Sequence, residues 1–379
     1  MMAGPRLELF VASTPGIEAI TAEEVRALGW VPGETEPGGF AVEAGPDALI
    51  GLNRGLRTAS RVLVRLARFK ASGFAELERK AQDIPWDRVL GRHLPASPEA
   101  VRFEVTSRKS RLYHTGGIEE RLRRSLDGWA GNRRLPPWPS EIPEPRFVVR
   151  LVRDRVTVSA DASGEPLHRR GYRQAVGKAP LRETLAAALL LASAWDRRTP
   201  LFDPFCGSGT LVTEAALLAG GLAPGRGRRF SYEAWPGMDG PGETAPSEPA
   251  AAPRAPLVGS DRDAGAVEAA RANAGRAGVA EWTSFHQAAL SAAPFPTLAD
   301  EGGLLVSNPP YGHRVGDPER LRNLYGRLGT LLRERWSGGR VVLLSADPAL
   351  TGQLGLETRT LFKTRNGGLA VEAVAAEVP

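Results

Sequence analysis

Cysteine is almost absent from this chain: Cys206 is the only one in 379 residues. One thiol excludes intrachain disulfides and any cysteine-rich zinc site. Histidine is scarce too. His93, His114, His168, His286 and His313 include no His-x-x-x-His pair, so no metal is expected. Lysine is rare, with five Lys against 44 Arg among the 49 basic residues. No apolar stretch reaches spanning length and the N-terminus lacks a signal-peptide core, so a cytosolic protein is expected. No internal repeat is present, which removes repeat arrays. What remains, 42% hydrophobic and 24% charged residues, is globular, and the length predicts two or three domains.

The most informative residues are Asn308-Pro309-Pro310-Tyr311. They follow the apolar run Leu304-Leu305-Val306, which reads as a buried strand, so they belong at a strand's carboxyl end. Open α/β sheets place their chemistry there. The Asn308 side-chain oxygen and a carbonyl of the Pro-Pro pair can both accept N–H hydrogen bonds. Proline lacks an N–H and fixes φ, which keeps the loop stiff. Tyr311 offers a flat face for stacking. The set suits holding a planar amino group and aiming its nitrogen at an electrophile.

Upstream, Asp203-Pro204-Phe205-Cys206-Gly207-Ser208-Gly209-Thr210 lies between the short strand Leu201-Phe202 and an apolar helix that starts at Leu211. A glycine turn there lets a ligand approach the backbone and exposes helix N–H groups. No Lys follows Gly209, so it is not a phosphate-binding P-loop, and Val212 stands where a dinucleotide fingerprint has its third small residue. Gly-x-Gly alone is often just a tight turn. Leu257-Val258-Gly259-Ser260-Asp261 reads as a strand ending in a carboxylate, placed to grip ribose hydroxyls. Asp263 can cap the helix Ala264 to Ala274. Cys206 sits in the turn, on the wrong loop for a nucleophile, and reads as a small inert buried thiol.

The first half must do something else. Residues 1–160 hold 25 basic and 20 acidic residues; the remainder holds 24 and 23, and the net charge is +6. Arg108, Lys109 and Arg111 are interleaved with Tyr113 and His114, and Arg170 and Arg173 with Tyr172. Such mixtures suit phosphate contact plus base stacking. An Arg-, Ala- and Gly-rich chain also fits a GC-rich genome, and Arg150, Arg153 and Arg155 can be the solvated face of a strand. Strands are expected over Leu7–Val11, Phe40–Glu43, Arg61–Leu66, Val101–Val105 and, as a pair, Phe147–Ala160. Helices are expected over Ile17–Leu28, Asp47–Leu56, Phe74–Ile84 and Gly117–Trp129. Further on, a helix is expected over Arg320–Trp336, a strand over Arg340–Leu344, and a hairpin from Thr358–Thr364 and Leu369–Ala376. Pro236 to Pro256, rich in Pro, Ala and Glu, reads as a flexible loop.

The three second-half motifs, in this order, resemble class I S-adenosylmethionine-dependent methyltransferases of the amino-methylating group. That resemblance implies a Rossmann-like α/β domain with a mostly parallel seven-stranded sheet. It makes Asp203, Pro204, Phe205, Cys206, Gly207, Ser208, Gly209, Thr210, Asp261, Arg262, Gln287, Ala288 and Asn308 candidate cofactor contacts, and Asn308, Pro309, Pro310 and Tyr311 the candidate catalytic set. One departure is Gln287-Ala288, where the family usually carries an acidic residue near the adenine amino group. Gln287 or a backbone carbonyl is the candidate substitute. In the first half, Pro15-Gly16-Ile17-Glu18, Ala59-Ser60-Arg61-Val62, Ile84-Pro85-Trp86 and Ser107 to Thr115 resemble a ferredoxin-like domain joined to a THUMP domain. That implies α+β units that bind RNA.

The junction from Asp161 to Arg173 and Ala179 to Ala186 resembles the bacterial RlmL-type guanine-N2 RNA methyltransferases, which act on 23S ribosomal RNA. The expected domains are residues 1–60 (ferredoxin-like), 61–160 (THUMP), a linker at 161–180 and the methyltransferase at 181–379. The expected partner is RNA, with 23S rRNA preferred over tRNA, and the expected RNA-binding residues are Arg108, Lys109, Arg111, Tyr113, His114, Arg170, Tyr172 and Arg173. The protein is expected to be a monomer. Methylation of adenine N6 in DNA or of a protein glutamine uses the same tetrapeptide, but the basic, THUMP-like front half argues against both. A non-catalytic RNA-binding assembly factor is the reading from a different class, and Ala288 keeps it open.

Overall fold

Alternating apolar residues in the first half build one seven-stranded sheet. Its strands are β1 (Leu7–Ser13), β2 (Thr35–Glu36), β3 (Gly39–Ala44), β4 (Ala59–Lys70), β5 (Arg102–Arg108), β6 (Arg146–Val152) and β7 (Arg155–Asp161), in the order β2-β3-β1-β4-β7-β6-β5. Every neighbouring pair is antiparallel except β5 with β6. The computed structural model describes residues 6–131, 133–174, 181–238, 251–298, 300, 302–311 and 318–379.

The boundary expected at residue 60 falls inside β4. That strand pairs with β1 through Ala59 to Val64 and with β7 through Leu63 to Lys70. At 12 residues it is long enough to serve two sets of neighbours, so the expected ferredoxin-like and THUMP regions share one sheet. The expected linker is packed where it is described. Ala162 N–H donates to the Val62 carbonyl (3.0 Å) and Leu167 N–H to that of Ser60 (2.9 Å); residues 175–180 lie outside the described set. The third helix stops at Ala81, short of the expected Ile84. Pro85 disfavours helical geometry at the residue before it, which ends the helix early.

The second sheet contains β8 (Leu201–Asp203), β9 (Leu257–Asp261), β10 (Thr283–Gln287), β11 (Leu304–Ser307), β12 (Arg340–Ser345), β13 (Arg359–Asn366) and β14 (Leu369–Glu377), in the order β10-β9-β8-β11-β12-β14-β13. The first five strands are parallel. The terminal hairpin inserts β14 antiparallel to β12 and leaves β13 at the edge. Successive side chains serve opposite faces, as a doubly covered sheet requires. Leu304 and Val306 join the core under helices Glu183–Ala192 and Thr210–Ala219, whereas Leu305 joins the core under helix Pro318–Arg335 with Phe202, Tyr325 and Trp336.

The halves interlock. Phe230, Tyr232, Trp235 and Met238, from the second half, complete the core of the first. Ile17, from the first, is buried in the core of the second. The start of the segment expected as a loop over Pro236–Pro256 is therefore anchored, and residues 239–250 lie outside the described set. Among the described residues, no helix is long and apolar enough to cross a membrane.

A candidate cofactor and amine site at the switch point of the sheet

From β8 the sheet continues to β9 and β10 on one side; from β11 it continues to β12 on the other. The strand order reverses between β8 and β11, and such a reversal opens a crevice beyond the carboxyl ends. All three second-half motifs lie on this edge. Asp203 ends β8, Asp261 ends β9, Gln287 ends β10 in register with Asp261, and Asn308 follows β11.

The glycine turn after β8 needs its glycines. Gly207 has φ +51° and Gly209 φ +78°, the left-handed region that side chains disfavour. A Cβ on Gly209 would lie 2.8 Å from Ala270 Cβ and 2.9 Å from the Phe285 ring, so the turn is pressed against helix Ala264–Arg276 and β10. A Cβ on Gly207 would meet nothing within 4 Å, so its backbone borders open space. Helix Thr210–Ala219 has no side-chain cap, because its N-cap is Gly209. Its first N–H groups are available to a ligand. The Asn273 amide donates to the Ser208 carbonyl (2.9 Å) and pins the far side of the turn.

Asp203 is buried. Its Oδ1 accepts from Phe205 N–H (3.1 Å) and Ser307 Oγ–H (2.5 Å), which ties β8 to β11. Burial pushes this carboxyl up to about 7 against the pull of those two hydrogen bonds, and nearby Asp261 adds to the rise. Asp261 is half-buried. Its Oδ2 accepts from Gly207 N–H (3.0 Å) and its Oδ1 from Asp263 N–H (3.0 Å). A carboxylate offers about four lone-pair sites, so acceptor capacity remains for hydroxyls. Asp263 caps the following helix as expected, accepting from Gly265 and Ala266 N–H. Arg262 is exposed, and its carbonyl faces the Gln287 amide at 3.5 Å; Ala288 N–H donates to the Asp261 carbonyl (2.9 Å). Cys206 is buried, and burial pushes its thiol well above the ordinary range, which suits the inert reading.

Asn308 Oδ1 is buried and has no hydrogen-bond partner among the described residues. Buried acceptors are rarely left unpaired, and an orphan beside a crevice marks a place for a donor. Pro309 is buried, and the Pro310 carbonyl accepts from Tyr325 Oη–H at 3.4 Å. The Tyr311 ring packs against both cores that flank the sheet, and its hydroxyl accepts from Asn366 Nδ2–H (2.9 Å). Sequence reading missed Ser307, Asn273, Tyr325 and Asn366. Only Ser307 adjoins a motif; the others arrive from 65, 15 and 55 residues away in sequence.

The expected RNA contacts divide. Arg108, Lys109, Arg111, Tyr113 and His114 are exposed, Tyr113 at 81%. Arg111 Nε–H donates to Asp154 Oδ2 (2.9 Å), and His114 Nδ1 accepts from Gly117 N–H, capping helix Thr115–Ala130. Arg170, Tyr172 and Arg173 require correction. Arg170 and Tyr172 are each 4% exposed. Arg170 faces Glu214 at 3.5 Å and donates to the Leu167 and Arg57 carbonyls. Tyr172 Oη–H donates to Glu214 Oε1 (3.0 Å). Arg173 pairs with Glu183 (3.2 Å) and with the Leu181 carbonyl (2.6 Å). They are buried among partners at the seam between the halves, away from the surface that RNA would meet, although Arg170 Nε, Glu183 Oε2 and Glu214 Oε2 have no hydrogen-bond partner among the described residues. Among the described residues, no group of three or more His, Cys, Asp or Glu is arranged to hold a metal.

Comparison with known proteins gives concordant matches. A family model described as an RMKL-like methyltransferase domain matches residues 170–374, and one described as the RlmL ferredoxin-like domain matches residues 8–63. Ribosomal RNA large subunit methyltransferase K/L of Syntrophotalea carbinolica is 33% identical over 96% of this chain, which spans about half (52%) of that protein. A Synechocystis protein, slr0064, that bears a provisional RNA methyltransferase name is 33% identical over 95% of this chain and 94% of its own length. The crystal structure of SMU.472, provisionally a methyltransferase and complexed with SAH, has a TM-score of 0.84 and 29% identity, covering 100% of this chain and 99% of that one.

Proposed function

The chain belongs to the RMKL-like methyltransferase family, and from that premise we propose that it methylates guanine N2 of 23S ribosomal RNA with S-adenosylmethionine as donor. The observation that carries the reading is the orphaned, buried Oδ1 of Asn308 at the mouth of the β8–β11 crevice.

The residues fit that cofactor. Open space beside Gly207 and the uncapped start of helix Thr210–Ala219 suit the methionine part, whose carboxylate takes helix N–H donors. The remaining acceptor capacity of Asp261 suits ribose hydroxyls. Gln287 and the Ala288 backbone stand on the adenine side. When bound, the cofactor supplies a methyl carbon that is already electrophilic, so this chain needs no nucleophile of its own, and the inert Cys206 is consistent with that.

The exocyclic amine of guanine is a poor nucleophile because its lone pair is delocalised into the ring. Asn308 Oδ1 accepts one amine N–H. A carbonyl of the Pro309-Pro310 pair accepts the other. Both bonds strengthen as positive charge grows on the nitrogen, so they stabilise the transition state more than the ground state. The N–C bond forms as the methyl–sulfur bond breaks to leave a neutral thioether, and the surplus amine proton passes to water. Proline stiffness holds the acceptors in place before the base arrives. Tyr311 stacks on a base flipped from the RNA. The THUMP-like stretch holds the RNA through Arg108, Lys109, Arg111, Tyr113 and His114.

The test is methylation of unmodified rRNA and tRNA, incubated separately, with the product nucleoside identified by mass spectrometry. N2-methylguanosine in 23S rRNA is the expected result. The same nucleoside in tRNA alone moves the assignment to tRNA, and N6-methyladenosine overturns the guanine assignment while sparing the pocket. The side chain at Ala288, which offers no acidic contact, favours a second reading, an RNA-binding assembly factor without catalysis. Absence of S-adenosylmethionine binding at millimolar ligand in isothermal titration would support it.

A further inference from the structure

Tyr311 is held from a distance. Its hydroxyl accepts a 2.9 Å hydrogen bond from Asn366 Nδ2, 55 residues further along the chain and at the end of the edge strand β13. We infer that Asn366 is a positioning residue for methyl transfer: it fixes the Tyr311 ring at the angle at which the target base must lie. This rests on the proposed role of Tyr311 as the stacking platform.

The geometry around β13 gives Asn366 a firm base. An edge strand is ordinarily free on one side. Here the turn at Pro15-Gly16, from the first half, covers it. The Thr364 hydroxyl donates to the Pro15 carbonyl (2.8 Å). Gly16, at φ +97°, abuts the Lys363 carbonyl so closely that a Cβ would lie 1.7 Å from its oxygen. Residues two apart on a strand share a face, so the Thr364 and Asn366 side chains project to the same side, about 6.7 Å apart along the strand. One side chain is tied to the RNA-reading half, and the next on that face is tied to Tyr311. A strand end, unlike a loop tip, can hold a ring within the few tenths of an ångström that transfer geometry demands.

Tyr311 also packs against both cores, so its ring stays in the crevice when the bond is cut. What the Asn366 bond adds is tilt. Loss of tilt should act on turnover and spare both binding steps, because the cofactor lies on the β8–β9 side and RNA affinity is set by contacts elsewhere.

The experiment measures kcat and KM for unmodified 23S rRNA transcript, and the dissociation constant of S-adenosylmethionine by calorimetry, in the full chain. Asn366→Ala is expected to lower kcat about tenfold, with KM and the cofactor constant within about twofold of the unaltered protein. Asn366→Asp keeps a bond, since the Tyr311 hydroxyl can donate to a carboxylate, and should recover most of the rate. Tyr311→Phe should match Asn366→Ala, and the double variant should be no slower than Tyr311→Phe, because both remove one interaction. Multiplying effects in the double variant, an unchanged kcat in Asn366→Ala, or joint loss of cofactor binding would overturn the inference. Asn308→Ala separates the two levels. If it lowers kcat by about 10²–10³-fold while Asn366→Ala leaves kcat unchanged, only the inference falls; if neither matters, or the unaltered protein transfers nothing, the reading of the site falls with it.

Discussion

The loop Arg108–His114 and the seam around Arg170 carry similar side chains in opposite surroundings. In the loop, Arg111 pairs with Asp154 while 72% of its side chain stays in solvent. At the seam, Arg170 and Glu214 face each other with 3% and 1% of their side chains exposed. An exposed pair gains little, because water and salt screen it. A buried pair has given up its hydration, and each member depends on the other. Arginine and tyrosine in sequence proximity therefore mark two different things: a surface that can meet phosphate, and a joint that locks two halves of a chain.

The largest expected effect breaks that contrast if it is wrong. Arg170→Ala removes the cation that faces buried Glu214, leaving only the more distant Arg57 among the described residues, and strips donors from the Leu167 and Arg57 carbonyls. It should cost about 3–5 kcal/mol of stability. Arg111→Ala should change stability by no more than about 0.5 kcal/mol. Chemical denaturation of both variants checks this; equal effects would show that the seam is no more than a screened surface.

Asn308 gives a third kind of environment, buried yet unpartnered. Removing a side chain whose Oδ1 has no partner among the described residues should leave folding nearly unchanged, unlike Arg170→Ala. Asn308→Ala should nevertheless reduce kcat by about 10²–10³-fold, the range for deleting one preorganised polar contact, with cofactor affinity nearly intact. Equal loss of both would mean that Asn308 serves the cofactor rather than the target.

Acid–base behaviour should separate the same regions. Burial raises Asp161 to about 6 and Glu183 and Asp203 to about 7. A carboxyl raised in the folded state favours folding while protonated. Its contribution is complete below its unfolded value near 4 and is lost as pH rises towards 6 to 7. Asp154, held low chiefly by its bonds from Arg111, has the opposite sign and loses its contribution as pH falls. Thermal melts from pH 4 to 7.5 should therefore show part of the stability declining with pH, and Glu183→Gln should flatten that decline. An unchanged slope in the variant would mean that Glu183 is hydrated.

What could be read from the chain follows how far each signal reaches. The Gly-x-Gly turn, the carboxylate ending β9 and the tetrapeptide after β11 are local patterns on short strands, and the parallel sheet brings them to one edge. The terminal hairpin was legible from two β-rich runs around Arg365-Asn366-Gly367-Gly368. The shared first-half sheet was not. Nothing local in Ala59–Lys70 tells that its start pairs with β1 and its end with β7. Tyr325 and Asn366, which hold the tetrapeptide from outside, have no pattern of their own, since a single donor can come from any strand the fold happens to bring near. Arg170 and Tyr172 were misread because composition reports charge and leaves out depth; their buried partner Glu214 lies more than forty residues away on helix Thr210–Ala219.

The smallest effect bears on the exposed side of the contrast. If the loop meets RNA phosphates, each cation released there should show in the salt dependence of binding, since neutralising a phosphate frees a counterion. Arg108→Ala and Lys109→Ala should each weaken binding to 23S rRNA a few-fold and reduce the salt slope by about one. Arg111→Ala should do less, because Asp154 already holds the Arg111 guanidinium and leaves it less free to meet a phosphate. Asp154→Asn is the sharper variant: it frees Arg111 and should tighten binding at low salt. If that substitution leaves the affinity and slope unchanged, the loop is solvated surface and the proposed RNA contact there falls.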